Sequence, residues 1–461
     1  MKCLPVVVLA LGLSVCTVAS AGDATIHKLQ QKIAHDDFPE QVAASLVGNI
    51  GPRFAGSASY DAAVIWALQA MQAAGLKNVH VEPVTLPHWV RGKTEVLLEL
   101  SSTDEQPLAA VALGGSVGTE PQGVAGEVVR VASLAELQAL PVSRVRGRIV
   151  FIDRHMQRTR DVTGYAEDVA IRVQGPAEAG RKGAVAALIR TVGTADDDVP
   201  HTGVTRYGDA PKIPALALSN VAADRLAAIT RTGSATIRVK LDAREYGAVN
   251  SSQVVGELPG KTDEIVLLGA HLDSWDITPG AEDDAAGVAT VLSAVRAINK
   301  YARQPQRTIR VVLFADEEFH SSGSRAYVAE HADELGKHVL AMEADLGSGA
   351  VWRLGTNLPD SAEDFRKALL VELAPLGVYD GPRDAGGGSD VDALTAAAGV
   401  PTIGPQQDAV RYFDVHHSTA DTLDHLDHAG LRQNVQVYAT AAWLAANWKG
   451  DLGKLPVEKA P

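Results

Sequence analysis

The chain has 461 residues, of which 46% are hydrophobic and 21% charged, with a formal net charge of -14. That length allows two or three domains around a large core. The surplus of acid argues against a nucleic-acid partner, because no basic excess exists to neutralise phosphates.

The N-terminus reads as a targeting segment. Lys2 gives the positive start, LPVVVLALGLSV is an apolar run too short to span a bilayer, and Ala19-Ser20-Ala21 fits a small-residue cleavage pattern. Residues 1–21 are therefore expected to be a signal peptide and Gly22 the start of the mature chain. No later segment is apolar enough to cross a membrane, so the product is expected to be secreted, periplasmic or lumenal. Cys3 and Cys16 both lie inside the signal. The mature chain then has no thiol, and any metal must be held by His, Asp and Glu.

In chain order, PEQVAASLVGNIGPR and SYDAAVIWALQAMQAAGLKNV show apolar residues at helical spacing, with Gly75 as a helix stop. TEVLLEL (94–100) reads as a strand closing an N-terminal section, 22–107. Residues 108–245 change character. GEVVRV, GRIVFIDR and ATIRVKL are strand-like, AEAGRKGAVAALIRT runs from helix into strand, and IPALALSNVAADRLAAI from strand into helix. Histidine is sparse there, and the region reads as a smaller, β-rich insert without chemistry of its own.

From residue 246 to 452 the pattern alternates. EIVLLGA, TIRVVLFA, KHVLAME and VPTIGP are strands, and DDAAGVATVLSAVRAI is a helix with Val288, Val291, Leu292 and Val295 on one face. Alternation of this kind predicts an α/β fold, a three-layer α/β/α sandwich with a mostly parallel central sheet. Residues 453–461 are expected to be a flexible tail.

In such sheets the functional residues sit just past the carboxyl ends of strands. His271 follows the first strand, and Asp283 comes one loop later in HLDSWDITPGAEDDAAG; Glu317 and Glu318 follow the second strand, Asp345 the third, and His417 lies in YFDVHHSTADT. Imidazole and carboxylate together suit zinc. Acids so crowded would repel one another, and a pair of dications roughly 3.5–4 Å apart would offset them. Asp283 is the candidate bridge. Asp273 is placed to accept the other ring N–H of His271. Adjacent residues leaving a strand point opposite ways, so of Glu317 and Glu318 one can bind metal while the other works as a general base.

The set GAHLDSWD, GAEDDAAG, FADEEFHSSGS, MEADLG, GGGSDVDAL and HHSTADT resembles the di-zinc exopeptidases of the bacterial leucyl aminopeptidase type. HLDSWD and HHS make it most similar to the plasma glutamate carboxypeptidase (carboxypeptidase Q) branch. The likeness covers roughly residues 30–105 and 246–448, and the stretch between resembles a protease-associated domain. The resemblance implies two zinc ions, with His271, Asp283 and Asp345 on one and Asp283, Glu318 and His417 on the other. It implies Glu317 as the general base and acid, Ser389 and Asp390 in the substrate pocket, and a cis peptide between Asp283 and Asp284. It also implies short peptides or dipeptides as substrates.

Some choices stay open. Val391 stands where many aminopeptidases carry histidine, which leaves the preferred peptide terminus undecided between aminopeptidase and carboxypeptidase or dipeptidase action. His416 adjoins His417, and only His417 keeps the family spacing to Thr422; Glu343 competes with Asp345. Gly114–Gly118 satisfies the G-x-S-x-G pattern of serine hydrolases around Ser116, but TEPQGVAG after it cannot start the helix that motif needs. A silent, peptidase-like binding ectodomain would be expected to have lost ligands, and none is lost. A homodimer is compatible with the sequence.

Overall fold

The structure, a computed structural model, describes residues 23–101 and 104–457. The expected signal peptide lies outside the described residues. Two eight-stranded sheets organise the chain.

At the centre of the first sheet lie four parallel strands, in the order Thr308–Phe314, Ile265–His271, His338–Glu343, Thr402–Gln407. They are the four apolar runs read from the sequence. Their residues are buried almost throughout, as strands covered on both faces must be. Val266, Leu268 and Ala270 face a core shared with the helices Ala24–Ile33, Phe38–Asn49, Ala58–Ala73, Ala286–Tyr301 and His428–Asn447. Leu267 turns the other way, onto Tyr327 and Leu394 from the helices Ser322–Glu330 and Asp392–Ala398. Three layers result. Antiparallel pairings flank the parallel centre on both sides, where Arg244–Leu258 pairs with Lys77–Val90 and Thr308–Phe314, and where Val351–Asn357 pairs with Thr402–Gln407. Lys77–Val90 was not expected from the sequence. It lies at the edge of the sheet, the position where Pro83 and Pro87 cost no ladder hydrogen bond to a second neighbour.

The second sheet runs from Thr94 to Leu241. TEVLLEL belongs to it, because Thr94–Ser101 pairs antiparallel with Thr236–Leu241. The N-terminal section drawn to residue 107 thus ends inside this sheet. The expected helix near residue 177 is the last part of a longer one, Thr163–Arg181. The C-terminal tail is held at its start: Leu455 N–H donates to the Gly399 carbonyl at 2.8 Å, and the Lys454 ammonium to the His338 carbonyl at 2.5 Å. Flexibility there does not extend to Lys454 and Leu455. Among the described residues no helix is long and apolar enough to cross a membrane.

The G-x-S-x-G stretch has no catalytic context. Ser116 is buried, its hydroxyl accepts the Ala215 N–H at 2.8 Å, and the residues after it run as irregular chain into the strand Val124–Val131 rather than into a helix.

Ala286–Tyr301 is the helix that fixes the entry to the candidate centre, and Leu292 on it is wholly buried. Leu292→Ala should cost about 2–5 kcal/mol of stability, the usual range for a cavity of this kind. Urea unfolding of the two proteins measures it.

Candidate metal centre

The parallel register brings the strand ends level, with His271 opposite Phe314 and Gly269 opposite Glu343. The short loops that follow converge at this rim. His271 Nε2 lies 3.0 Å from Asp283 Oδ1 and 3.3 Å from Asp345 Oδ1. His417 Nε2 lies 2.8 Å from Glu318 Oε2 and 3.3 Å from Asp283 Oδ2. The two oxygens of one carboxylate therefore reach two separate imidazoles. All five side chains expected as ligands are brought together.

His416 comes close as well. Its ring stacks on His417 with centroids 3.6 Å apart, and its Nε2 is 3.6 Å from Asp283 Oδ2. Glu343 is engaged elsewhere. One of its oxygens accepts the N–H groups of Asp390 and Val391 at 2.9 and 3.2 Å and fixes that turn.

Backbone contacts hold the ligands in place. Asp283 and Asp284 are joined by a cis peptide in the turn that precedes Ala286–Tyr301. Asp284 accepts the Gly287 N–H at 2.9 Å and the His271 N–H at 3.1 Å, so it ties the helix entry to the strand end. Asp421 accepts the N–H groups of Glu282 and Asp283 at 2.6 and 3.1 Å. Arg53 is fully buried and donates to the carbonyls of Leu272, Pro279 and Gly280 at 2.7–3.0 Å. Arg53 and Asp421 were not singled out from the sequence. Arg53 could not have been, because backbone carbonyl partners leave no pattern of side chains; Asp421 lay inside a quoted motif.

Asp273 departs from its expected contact. The His271 Nδ1 lies 3.1 Å from the Asp273 backbone carbonyl, while the nearer carboxylate oxygen is 3.8 Å away. The Asp273 carboxylate accepts the Glu317 N–H at 3.2 Å instead. The carbonyl still selects the same tautomer, with Nε2 left to coordinate. Glu317 itself faces a cavity of about 540 Å³, and the Ser389 hydroxyl donates to its Oε1 at 2.7 Å. Ser389 lines that cavity, whereas Asp390 is wholly buried and does not.

The donor set fits divalent cations. Asp283 Oδ2 and Glu318 Oε1 are buried without a hydrogen-bond donor. Burial, then the charge of Asp283, pushes the Glu318 carboxyl well above its usual range, and burial pushes Asp345 up to about 7. Burial also tends to raise Asp283, but the His271 hydrogen bond and neighbouring cationic groups outweigh it and hold that carboxyl low. Burial keeps His417 well below its usual range, hence neutral with a free lone pair. Cations set among these groups would offset both the burial and the mutual repulsion of the acids.

The second sheet's region takes part too, which corrects the expectation of an insert without chemistry. Tyr165, Arg172 and Arg206 from it line the cavity. Its loop also holds the His417 segment: Thr202 N–H donates to the His417 carbonyl at 2.9 Å, Thr194 N–H to the Phe413 carbonyl at 2.9 Å, and His201 Nδ1 meets the His416 carbonyl at 2.6 Å.

The model of peptidase family M28 matches residues 253–442. The mouse carboxypeptidase Q is 35% identical over 87% of this chain and 84% of its own length, and the human one 33% identical over 93% and 90%. The chain belongs to peptidase family M28. Membership makes it a metallo-exopeptidase. A probable lipoprotein aminopeptidase, LpqL, of Mycobacterium tuberculosis is 26% identical over 89% of this chain and 84% of that one. Among solved structures, an M28 peptidase precursor from Shewanella amazonensis superposes with a TM-score of 0.90 at 41% identity, covering 94% of this chain and 98% of that one. A zinc aminopeptidase from Bacillus subtilis shares the fold at TM-score 0.65 and 21% identity, covering 91% and 97%.

Arg53 supports the M28 centre from beneath. Arg53→Met should leave its carbonyl partners unsatisfied in the interior and lower stability by at least about 3 kcal/mol, since each orphaned buried acceptor costs about 1–3. Denaturant unfolding followed by near-UV circular dichroism reads that loss.

Proposed function

We propose that this M28 peptidase is a zinc-dependent enzyme that removes terminal residues from short peptides, exported by its N-terminal signal. The observation that carries the reading is the Asp283 carboxylate, whose two oxygens lie 3.0 and 3.3 Å from the imidazole nitrogens of His271 and His417. His271, Asp283 and Asp345 would hold one zinc, and Asp283, Glu318 and His417 the other. Nitrogen and carboxylate donors without sulfur suit that metal. When bound, two such cations would supply a water of lowered pKa and a Lewis acid for the carbonyl to be attacked.

The chain's own groups do the rest. Glu317 would stay a non-ligand: it takes the Ser389 hydroxyl at 2.7 Å, while Glu318 Oε2 lies 2.8 Å from His417 Nε2. Its Oε1 is occupied by the Ser389 hydroxyl, which leaves Oε2 to take a proton from the attacking water. The Asp273 carboxylate fixes the Glu317 backbone so that this oxygen stays in place. The same oxygen then returns the proton to the leaving amine. His201 and Thr202 hold the His417 loop against the centre. The region from residue 108 to 245, read as a protease-associated insert, acts here as the roof of the cavity rather than as a detached module.

Two outcomes test this. Exhaustive chelation should abolish hydrolysis of short peptides, and zinc should restore it, with elemental analysis giving about two zinc ions per chain; activity that survives chelation would rule the mechanism out. Glu317→Gln should keep its zinc and lose roughly 100- to 10,000-fold in turnover, the usual contribution of a positioned general base. Steady-state kinetics beside metal analysis separates that loss from a lost ligand.

A further inference from the structure

The motif HLDSWD is only half accounted for by the donor set. His271 belongs to the centre and Asp273 to the turn at Glu317, which leaves Trp275 and Asp276 without a role. Trp275 is wholly buried, and it backs both Glu318 and His417. Its ring lies 5.8 Å from that of His417, with the planes at 64°, and 6.2 Å from the ring of Phe319, the residue after Glu318. Phe54 stacks on it at 5.1 Å. The second sheet's region closes against the same ring, because a Cβ added at Gly114 would collide with its Cη2. Gly114 is the first glycine of the G-x-S-x-G stretch, so that stretch supplies room for Trp275.

Asp276 reaches the same histidine by another route. Its two carboxylate oxygens accept the Arg91 Nε–H at 3.1 and 3.0 Å. Arg91 is 5% exposed and lies where the chain crosses from Lys77–Val90 in the first sheet to Thr94–Ser101 in the second. Its guanidinium stands over the Trp275 ring at 5.5 Å. Its Nη1 donates to the Thr202 hydroxyl at 2.8 Å, and that hydroxyl donates to the Ala112 carbonyl at 2.9 Å. Thr202 is thereby fixed in orientation, and its N–H is the one that holds the His417 carbonyl. One pair of neighbouring residues thus acts on His417 twice. Trp275 meets its ring, and Asp276 reaches its backbone through Arg91 and Thr202.

The ligands of the other position are placed differently. His271 pairs with Phe314 in the parallel ladder, and the N–H of Ala344, one residue before Asp345, donates to the Gly269 carbonyl at 2.9 Å. The sheet itself sets these two. His417 lies on a loop, which tertiary contacts alone can place. We propose that Arg91 and Asp276, with the Trp275 ring they hold, are positioning residues for the cation bound by Glu318 and His417, and that they set its affinity separately from that of the cation bound by His271 and Asp345. This rests on the two-zinc reading proposed above. Groups that orient a metal ligand from behind are commonly worth about 10- to 100-fold in metal affinity.

Zinc affinity is measured by competition with a chromophoric chelator in the unaltered protein and in Arg91→Met, and in both again with His417→Ala added. Near-UV circular dichroism verifies folding. Arg91→Met should weaken one zinc site about 10- to 100-fold and leave the other within about 3-fold. With His417→Ala present, it should leave the remaining zinc within about 3-fold, because the ligand it supports is already gone. Arg91→Lys, which keeps the charge but not the planar fork, should recover part of the loss. Asp276→Asn, at a partly exposed position, should weaken the same site about 3- to 10-fold, and this variant decides if Arg91→Met does not fold. Equal weakening of both sites, or of neither, overturns the proposal, and so does a loss of the same size without His417. If the unaltered protein binds a single zinc, the two-zinc reading fails instead. The same comparison then still decides: a loss of affinity that requires His417 supports the positioning role, and one that does not overturns it.

Discussion

A single buried carboxylate sets the terms for the rest of the molecule. Asp283 is almost wholly enclosed, yet it must stay charged while other acids crowd it. Burial of a bare carboxylate costs several kcal/mol even after relaxation. The chain offsets this locally. Imidazoles stand at both oxygens, Asp421 accepts the Asp283 N–H, and the Arg53 guanidinium lies within range to favour the charged form. None of these contacts is available to an unfolded chain. The centre can exist only where the parallel strands end together, and this explains why residues from 271 to 417 have to be folded before any of it is stable.

The fold divides the work between rigid strand ends and loops that are tied down individually. His271 and Glu343 belong to strands. Asp283, Glu318, Asp345 and His417 belong to connections, where position is not given by a ladder. Three of these connections have their own restraint: Asp284 and Asp421 for the first, the Asp273 carboxylate for the turn at Glu317, and the second sheet's loop for His417. His417 itself adopts φ +62°, a left-handed conformation that a non-glycine residue holds only when its surroundings impose it. The contacts of Thr202 and His201 are those surroundings.

Much of this was legible in the sequence, for a physical reason. Periodicity is local, so EIVLLGA, TIRVVLFA and KHVLAME announce buried strands by themselves, and strand ends then announce the rim. Partnership is not local. TEVLLEL is plainly a strand, but nothing in its seven residues says that it pairs with Thr236–Leu241 rather than with the peptidase sheet. Lys77–Val90 was hidden further, because Pro83 and Pro87 interrupt the alternation and its partner lies far along the chain at Arg244–Leu258. Asp273 shows a finer limit. Spacing placed it beside His271, but whether the ring meets its carbonyl or its carboxylate depends on backbone torsions that spacing does not encode. Arg53 lay beyond reach for a related reason, because it binds carbonyls.

The insert changes meaning once its contacts are known. Read alone, a β-rich region with few histidines has no chemistry. Placed over the rim, it supplies the loop that orients His417 and the guanidinium that faces the acids. The same short segment, from His201 to Arg206, is adjacent to both, and Gly203 between them lies against the Arg172 guanidinium. The His417 segment and the Arg172 side chain therefore both pack against one loop. A displacement of that loop would release the His417 and His416 carbonyls and at the same time open the packing around Arg172 on the helix Thr163–Arg181, so the cavity wall and the position of His417 depend on the same few residues.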